Sequence, residues 1–441
     1  MSHQLHRLGV AFAVAFCLIA VSAGYWGYAQ QATLQARPDN PRRLLLEHRY
    51  PRGTIYDRAG RVLAESVGLP GDLSRHYPYP DLAPVLGYVS PFFGTAGIEA
   101  AADGTLHGDG DRSAFDLAWF GLLGAPPPGR AVRLSIDLTV QTAADQALGN
   151  RVGAIVLLDA STGEIIALAS HPTYDPNTLD TQWDSLVSNP QAPLLNRATL
   201  SLYQPGGALQ PIVLAAALRA GLVNVNNPFP AATAAVPLDG LTLTCLTPPP
   251  AGEITLAQAF QDDCPWPFAK LGDQLGTRAL DQLFSDFRLL QAPAIRIPTT
   301  AASGALQPAD STFVTIGQSR LTITPLHLAL ITAALARRGE MPAPQLLMAS
   351  QDLQGNWVTE PLASHAIAAI APEYADEVKA LMPDGYRAVA LTNASGQKLA
   401  WYSGFAPSTD SRYTVAVLLE DGDVNAAAQI GQALLATALK P

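Results

Sequence analysis

Few residues in this sequence have the type and spacing that nucleophilic chemistry requires. One Ser-x-x-Lys spelling occurs, from Ser395 to Lys398, and on a helix this spacing would place an amine one turn from a hydroxyl, as acyl transfer needs. It lies on a predicted turn into a strand, where that helical geometry is not expected. The sequence contains no Gly-x-Ser-x-Gly elbow and no paired His or Cys spacing typical of zinc. We therefore expect no metal, no cofactor and no standard nucleophile.

The other titratable groups are interpreted as structural. His171 and His327 lie in apolar surroundings that favour core or surface roles over catalysis. Asp262 and Asp263 are interpreted most simply as the solvated end of a helix, with an acid role as the alternative. The adjacent Cys264 lacks the basic neighbours that activate a thiolate.

Composition indicates a compact protein with a sizeable core. The chain has 441 residues, of which 48% are hydrophobic and 15% charged, so it is long enough for two domains and too apolar to be disordered. Its formal net charge of −10 excludes a basic surface of the kind that binds nucleic acid.

The N-terminus predicts a membrane anchor. An uncharged run extends from Leu8 to Tyr28 and follows Arg7. About 20 apolar residues span a bilayer, and a basic residue before the span keeps that end cytoplasmic. We therefore expect a single-pass protein of the cell membrane with most of the chain extracytoplasmic. The alternative is a signal peptide cleaved near Val21–Ala23.

Periodicity predicts the elements of an α+β fold with helices on a mainly antiparallel sheet. Gly153–Asp159 and Glu164–Ala169 are predicted as two core strands joined by a tight turn. Lys398–Pro407 and Tyr413–Glu420 are predicted as adjacent core strands, followed by a C-terminal helix from about Asn425. Strand-forming residues also alternate around a turn at Asp57–Gly60, which predicts a hairpin.

Two cysteines lie in the part of the chain predicted to be extracytoplasmic, where oxidation is permitted. A disulfide between Cys245 and Cys264 would close a loop of roughly 20 residues and stabilise the fold by about 3 kcal/mol. Two buried free thiols are the alternative.

A series of short motifs resembles class B penicillin-binding proteins, particularly the short actinobacterial type, over nearly the whole chain. The matching segments are Arg52-Gly53 with Asp57-Arg58, Gly97-Ile98-Glu99, Pro193–Ala198, Tyr203–Pro211, Gly317-Gln318, and Ala400–Pro407. The resemblance implies a transpeptidase (β-lactamase-like) fold that acts on peptidoglycan stem peptides. It also implies three parts: an anchor over residues 1–28, a linker and small β-rich pedestal domain over 29–128, and a transpeptidase-like domain over 129–441.

At each position where that family carries catalytic residues, this sequence carries another residue. Gly207 stands in the serine slot and Gln210 in the lysine slot of Ser-x-x-Lys. Asp263 and Pro265 stand in the slots of Ser-x-Asn. The third motif, Lys-Thr-Gly, is predicted to fall on Thr392, Asn393 and Ala394.

These replacements predict an inactive homologue. Glycine cannot be acylated, a glutamine amide cannot act as a base, and loss of the nucleophile of a serine hydrolase costs on the order of a million-fold in rate. The leading hypothesis is a scaffold or regulator among cell-wall synthesis or division proteins. The alternatives are an active D,D-transpeptidase with a non-standard site and a module that binds peptidoglycan without covalent chemistry.

Overall fold

The N-terminal segment is a long apolar helix, and no side chain of its His6–Gly27 stretch is buried among the described residues. The structure, a computed structural model, describes residues 2–30, 50–69, 71–123, 127–238, 241–249, 252–303, 311–318, 321–392 and 396–440. Helix α1 (Ser2–Gly24) is followed by one π-helical turn, Tyr25–Ala29. Residues His6–Gly27 form a 22-residue stretch of mean hydropathy 2.2 with no buried side chain, which is long and apolar enough to cross a membrane. Nearly all of the predicted linker from about residue 30 to 43 lies outside the described residues.

The next part of the chain is a small domain of short strands and helices. Its strands are β1 (Ile55–Tyr56), β2 (Val62–Val67), β3 (Ser74–His76), β4 (Val89–Ser90), β5 (Gly94–Thr95) and β6 (Val132–Leu134), and its helices are α2 (Ala83–Leu86), α3 (Gly97–Ala101), α4 (Asp103–His107) and α5 (Ala114–Leu123). The predicted hairpin is confirmed, since β1 and β2 pair antiparallel. Asp57 closes its turn, because Oδ1 accepts hydrogen bonds from the N–H groups of Ala59 and Arg61 at 2.9 and 2.7 Å.

A buried charge cluster fixes the centre of this small domain. Glu99 is fully buried and contacts Arg52 at 3.1 Å and Arg75 at 2.6 Å. A carboxylate without solvent is tolerated only when opposite charges and hydrogen bonds compensate it. Tyr77 donates a third hydrogen bond to Glu99 at 3.4 Å. Glu99, from the Gly-Ile-Glu motif, therefore holds the strands against α3.

The larger domain is built on a five-stranded sheet in the order β15-β16-β17-β7-β8, antiparallel throughout. Its helices are α6 (Leu138–Leu148), α7 (Leu179–Ser188), α8 (Gln210–Arg219), α9 (Leu256–Gln261), α10 (Pro265–Asp286), α11 (Ser311–Val314), α12 (Pro325–Ala336), α13 (Pro372–Ala380) and α14 (Val424–Ala438). Its strands are β7 (Gly153–Asp159), β8 (Ile165–His171), β9 (Val236–Leu238), β10 (Leu241–Leu243), β11 (Glu340–Met341), β12 (Leu347–Gln351), β13 (Trp357–Thr359), β14 (Ile367–Ala368), β15 (Tyr386–Leu391), β16 (Lys398–Ala406) and β17 (Tyr413–Leu419). The α+β fold class and the two predicted strand pairs are confirmed.

Helix α12 forms the centre of the larger domain. All of its side chains are buried, as expected of a helix that is apolar on every side. Thr324 and His327 cap its first turn reciprocally, and burial lowers the pKa of His327 to about 4. His327 is therefore a neutral structural residue.

The two domains share one sheet. Strands β12 and β13 leave the larger domain and extend the sheet of the small one, in the order β13-β12-β6-β1-β2-β3. Ser350 of β12 pairs with Val132 of β6, and Arg130 donates a hydrogen bond to the Gln351 carbonyl at 2.8 Å. A segment late in the chain thus completes the domain that begins it.

Candidate functional site

The candidate site lies where the turn before α8 meets the edge strand β15. Gly206–Leu209 form a 3-10 turn that leads directly into α8, and all four residues are buried. Gly206 has a φ of +54°, and a Cβ there would lie 2.0 Å from the carbonyl oxygen of Val389. The turn and β15 therefore approach backbone to backbone, which requires glycine.

The loop between α9 and α10 brings Asp263 to the same place. Helix α9 ends at Gln261, and Pro265 takes the first position of α10, where proline is favoured. Between them Asp263 adopts a φ of +48°, a left-handed conformation that Asp tolerates better than most residues. This turn directs the side chain inward, and Asp263 is only 6% exposed. The interpretation of Asp263 as part of a solvated helix end is therefore wrong.

The carboxylate of Asp263 occupies the space that a side chain at position 207 would need. A Cβ built on Gly207 would lie 1.9 Å from Asp263 Oδ1 and 2.6 Å from its Cγ. Real Cβ contacts are never this close, because van der Waals contact between such atoms begins above 3 Å. Gly207 therefore leaves room for the Asp263 carboxylate, and any side chain at position 207 would require that carboxylate to move.

Asp263 is held by a closed network of hydrogen bonds. Gln210 Nε2 donates to Asp263 Oδ1 at 2.8 Å, and the N–H of Val389 donates to Oδ2 at 3.2 Å. The Tyr386 hydroxyl donates to Gln210 Oε1 at 2.8 Å and lies 3.4 Å from Asp263 Oδ1. Tyr386 is fixed in turn by stacking on Phe260, with ring centroids 4.5 Å apart. The polar groups of the site thus satisfy one another.

Burial makes both titratable groups of this network prefer their neutral forms. It raises the pKa of Asp263 to about 8, against the opposing hydrogen bonds from Val389 and Tyr386. Burial, followed by the nearby Asp263, raises the pKa of Tyr386 well above its usual value. Gln210 does not titrate. Of the two titratable groups of this network, Asp263 is therefore the one whose charge can change near neutral pH.

A cavity of about 240 Å³ adjoins the network. The cavity is lined by Gly207, Gln210, Asp263 and Pro265. Lys398, the exposed first residue of β16, also lines it. The structure thus brings together the residues of the first and second predicted slots. Other wall residues come from β10 and the segment after it: Thr242, Leu243, Thr244, Cys245 and Leu246.

Of the third predicted slot the structure describes only Thr392, which is not among the residues that line the cavity. Thr392 follows the end of β15, is exposed, and bonds to the Gln397 carbonyl through its N–H at 2.9 Å. Ala394 lies outside the described residues, as does Ser395 of the Ser-x-x-Lys spelling. From β15, Val389 and Leu391 line the cavity, and Tyr386 bonds to the network through its hydroxyl. Tyr386 could not be identified from the sequence, because an aromatic residue in an alternating strand carries no signal beyond core packing.

A disulfide joins the cavity wall to the Asp263 loop. Cys245 and Cys264 are bonded, at a sequence separation of 19. The N–H of Leu246 also donates to the Asp262 carbonyl at 2.9 Å. The bridge therefore fixes the wall segment against the residue next to Asp263.

No group of three or more His, Cys, Asp or Glu side chains that could hold a metal ion is found in the described part of the chain.

Trp266 does not line the Asp263 cavity. It contacts Lys270, whose ammonium lies 4.7 Å from the ring centroid, beside a separate cavity of about 500 Å³.

The fold and the positions around Gly207 define a transpeptidase-type protein. The family model for the penicillin-binding protein transpeptidase domain matches residues 153–440, and the model for the penicillin-binding protein A dimerisation domain matches residues 52–132. The chain therefore belongs to the penicillin-binding protein family, as its motifs indicated.

Mycobacterial proteins are among the relatives that the chain matches over their full length. The chain is 32% identical over 493 residues to the peptidoglycan D,D-transpeptidase PbpA of Mycolicibacterium smegmatis, covering 100% of this chain and 99% of the relative. Penicillin-binding protein A of M. tuberculosis, solved as an imipenem acyl-enzyme complex, superposes with a TM-score of 0.80 at 30% identity, covering 90% of this chain and 100% of that one. The D,D-transpeptidase domain of a peptidoglycan glycosyltransferase from Eggerthella lenta gives a TM-score of 0.77 at 27% identity, covering 89% and 98%.

Proposed function

We propose that this protein is a catalytically silent penicillin-binding protein that works in cell-wall synthesis as a scaffold or regulator. The observation that carries the proposal is the position of the Asp263 carboxylate, 1.9 Å from where a Cβ at position 207 would lie. Acyl transfer in serine-type transpeptidases needs a nucleophile at that point and a base beside it. Here the Asp263 carboxylate occupies the first of these positions and Gln210 the second, and the two side chains bond to each other inside a buried network.

The hydrogen bonds of this network support the proposal that the protein folds stably without catalytic residues. If only the serine had been lost, the remaining site would keep buried polar groups without partners, at a cost of about 1–3 kcal/mol for each. Instead Gln210, Asp263 and Tyr386 bond to one another. The residues around Gly207 therefore suit a stable pocket without a nucleophile, and the fold is retained for another purpose.

In this role the protein is anchored in the cell membrane by α1. Helix α1 supports a single-pass anchor, and the Cys245–Cys264 disulfide suits an extracytoplasmic position for the larger domain. Peptidoglycan and the proteins that build it are then the partners within reach. The pedestal is the domain that we expect to contact them.

A second candidate function is non-covalent binding of a peptidoglycan fragment. The cavity of about 240 Å³ beside Gly207 favours it, since Lys398 places a positive charge at the rim. The cavity is small, however, compared with the roughly 300–1,000 Å³ of most ligand sites.

Labelling with a fluorescent penicillin tests the silent site. The purified chain and Gly207→Ser should both remain unlabelled, since the serine would still meet Asp263. A variant that combines Gly207→Ser, Gln210→Lys, Asp263→Ser and Pro265→Asn rebuilds a nucleophile with a base. Tyr386→Lys is added because the Tyr386 hydroxyl contacts positions 210 and 263, so that an amine there would supply the positive charge of the third motif. This combined variant should label. Heat-denatured protein is the control for non-specific reaction. A covalent adduct on the native wild-type chain would refute the proposal.

Complementation tests the non-catalytic role. In a strain deleted for this protein, a chain carrying Asp263→Asn should restore growth and shape as well as the wild type does, because no reaction depends on the site. The matched control is a chain without residues 1–28, which should fail if the anchor is needed. Failure of Asp263→Asn, at wild-type protein levels, would favour a role for the cavity itself.

A further inference from the structure

Helix α5 (Ala114–Leu123) is apolar on every side, and none of its side chains is buried. Phe115 and Leu122 are 76% and 77% exposed, and Trp119 is 52% exposed. A helix that is hydrophobic all round is normally enclosed by a protein core or by a membrane. The other short apolar helices of the described residues follow that rule, because α8 and α12 are almost wholly buried.

The one charged residue of α5 is used to begin the helix. Ser113 Oγ donates to Asp116 Oδ2 at 2.7 Å, and the N–H of Asp116 donates to Ser113 Oγ at 3.1 Å. This reciprocal cap satisfies the first turn without help from the rest of the fold. The remaining two turns of the helix are entirely apolar.

The segment that carries α5 leaves and rejoins the small domain at the point where the chain arrives from α1. The N–H of Gly53 bonds to the Leu106 carbonyl at 2.8 Å, and that of Arg130 bonds to the Thr105 carbonyl at 2.9 Å. A Cβ on Gly129 would lie 2.4 Å from the nitrogen of Gly53, so the backbones at these two residues are in direct contact. The base of the α5 segment is therefore the corner of the domain that is tethered to the proposed membrane anchor.

We propose that α5 lies in the interface of the lipid bilayer that α1 crosses and gives the pedestal a second membrane contact. This inference rests on the proposed anchoring of the chain. Continuity with the anchor favours a lipid surface over any other occupant, because the tether keeps this corner near the bilayer. A short apolar helix of about 10 residues is a candidate interfacial segment, and Trp119 suits the headgroup boundary, where tryptophan is enriched.

The charges near α5 indicate which lipids it needs. Asp109, Asp111 and Asp116 are acidic, whereas Arg112 lies over the ring of Phe120 at 5.0 Å. No excess of positive charge is present in this segment to attract anionic headgroups. Burial of apolar surface is therefore the driving force, and binding should be as good to phosphatidylcholine as to anionic lipid and little affected by salt.

A fluorescence measurement on the full chain tests the proposal. The chain carries Cys17→Ser, and an environment-sensitive dye is attached at Leu122→Cys without reductant, so that the Cys245–Cys264 disulfide persists. The matched control carries the dye at Val187→Cys on α7, an equally apolar site that is 59% exposed and lies in the larger domain. Each protein is reconstituted at one chain per phosphatidylcholine nanodisc, with or without spin-labelled lipid.

The dye at position 122 should emit at shorter wavelength and lose about half of its intensity or more to the spin-labelled lipid, while the dye at 187 should change little. Equal behaviour of the two dyes in chains that co-migrate with the nanodiscs would overturn the role of α5 and leave the anchoring intact. Failure to co-migrate would overturn both. Shielding at 122 without lipid quenching, growing with protein concentration, would assign α5 to contact with a second copy and also overturn the proposal.

Discussion

The buried carboxyl of Asp263 should make the stability of this protein depend on pH in an unusual direction. Burial raises its pKa from 3.8 to about 8. The unfolded chain releases this proton near 3.8, so between these values the folded state binds a proton that the unfolded state does not. The contribution to stability is therefore fully present below about pH 4 and is lost as the pH rises through about 8.

The size of the effect follows from the shift. Each pKa unit is worth about 1.4 kcal/mol, so the wild type should lose roughly 4 kcal/mol between about pH 5 and about pH 8 relative to Asp263→Asn. The variant has a side chain of similar size that does not titrate. The Gln210 amide, which now donates to Asp263 at 2.8 Å, can turn over and accept from the new amide. The variant is therefore expected to fold.

Urea unfolding followed by circular dichroism, between about pH 5 and about pH 9, measures the difference. Asp184→Asn, on an exposed face of α7, is the control and should follow the wild type at every pH. Contributions from other carboxyl groups cancel, because both proteins carry them. A difference between wild type and Asp263→Asn that stays constant over this range would refute the claim that the carboxyl is protonated in the folded state.

Three further experiments test the packing around the site and in the pedestal. Gly207→Ser should lower the free energy of unfolding by about 1–3 kcal/mol, and adding Asp263→Ser should recover most of it; additive losses in urea unfolding would contradict their direct contact. Replacing Cys245 and Cys264 with serine should cost about 3 kcal/mol for the loop that the disulfide closes, and an unchanged melting temperature would argue against the bond. Glu99→Gln should cost about 3–5 kcal/mol, because the buried Arg75 loses its paired carboxylate and Arg52 loses one carboxylate while keeping Asp103, whereas a neutral result in thermal unfolding would show that water reaches them.

The sheet of the larger domain could be predicted because its strands are short apolar runs bounded by turns. All of β7, β8 and β17 are buried along their whole length, and such runs carry a strong local signal. Recognition of the family then depended on ordered motifs rather than on any one of them.

The candidate site could be predicted only in part. That Gly207 and Gln210 carry neither a nucleophile nor a base is visible in the sequence, but the burial of Asp263 is not. An acid becomes buried here because a left-handed turn directs it at a glycine, and its partner Gln210 is 53 residues away in the chain. Tyr386 belongs to the network through its register on β15, which local periodicity does not determine. The exposed apolar helix α5 was not predicted from the sequence at all.

The sheet shared by the two domains determines the order in which the parts of the chain can fold. Strand β6 pairs with a strand that is made much later, and Arg130 and Gln351 are 221 residues apart in sequence. A chain that emerges from its N-terminus first must hold β1, β2 and β6 as an unfinished edge until β12 arrives. Contacts of such long separation slow folding and leave edges exposed to mispairing. Truncation anywhere before β12 should therefore yield an aggregation-prone pedestal, even though every residue of its own segment is present.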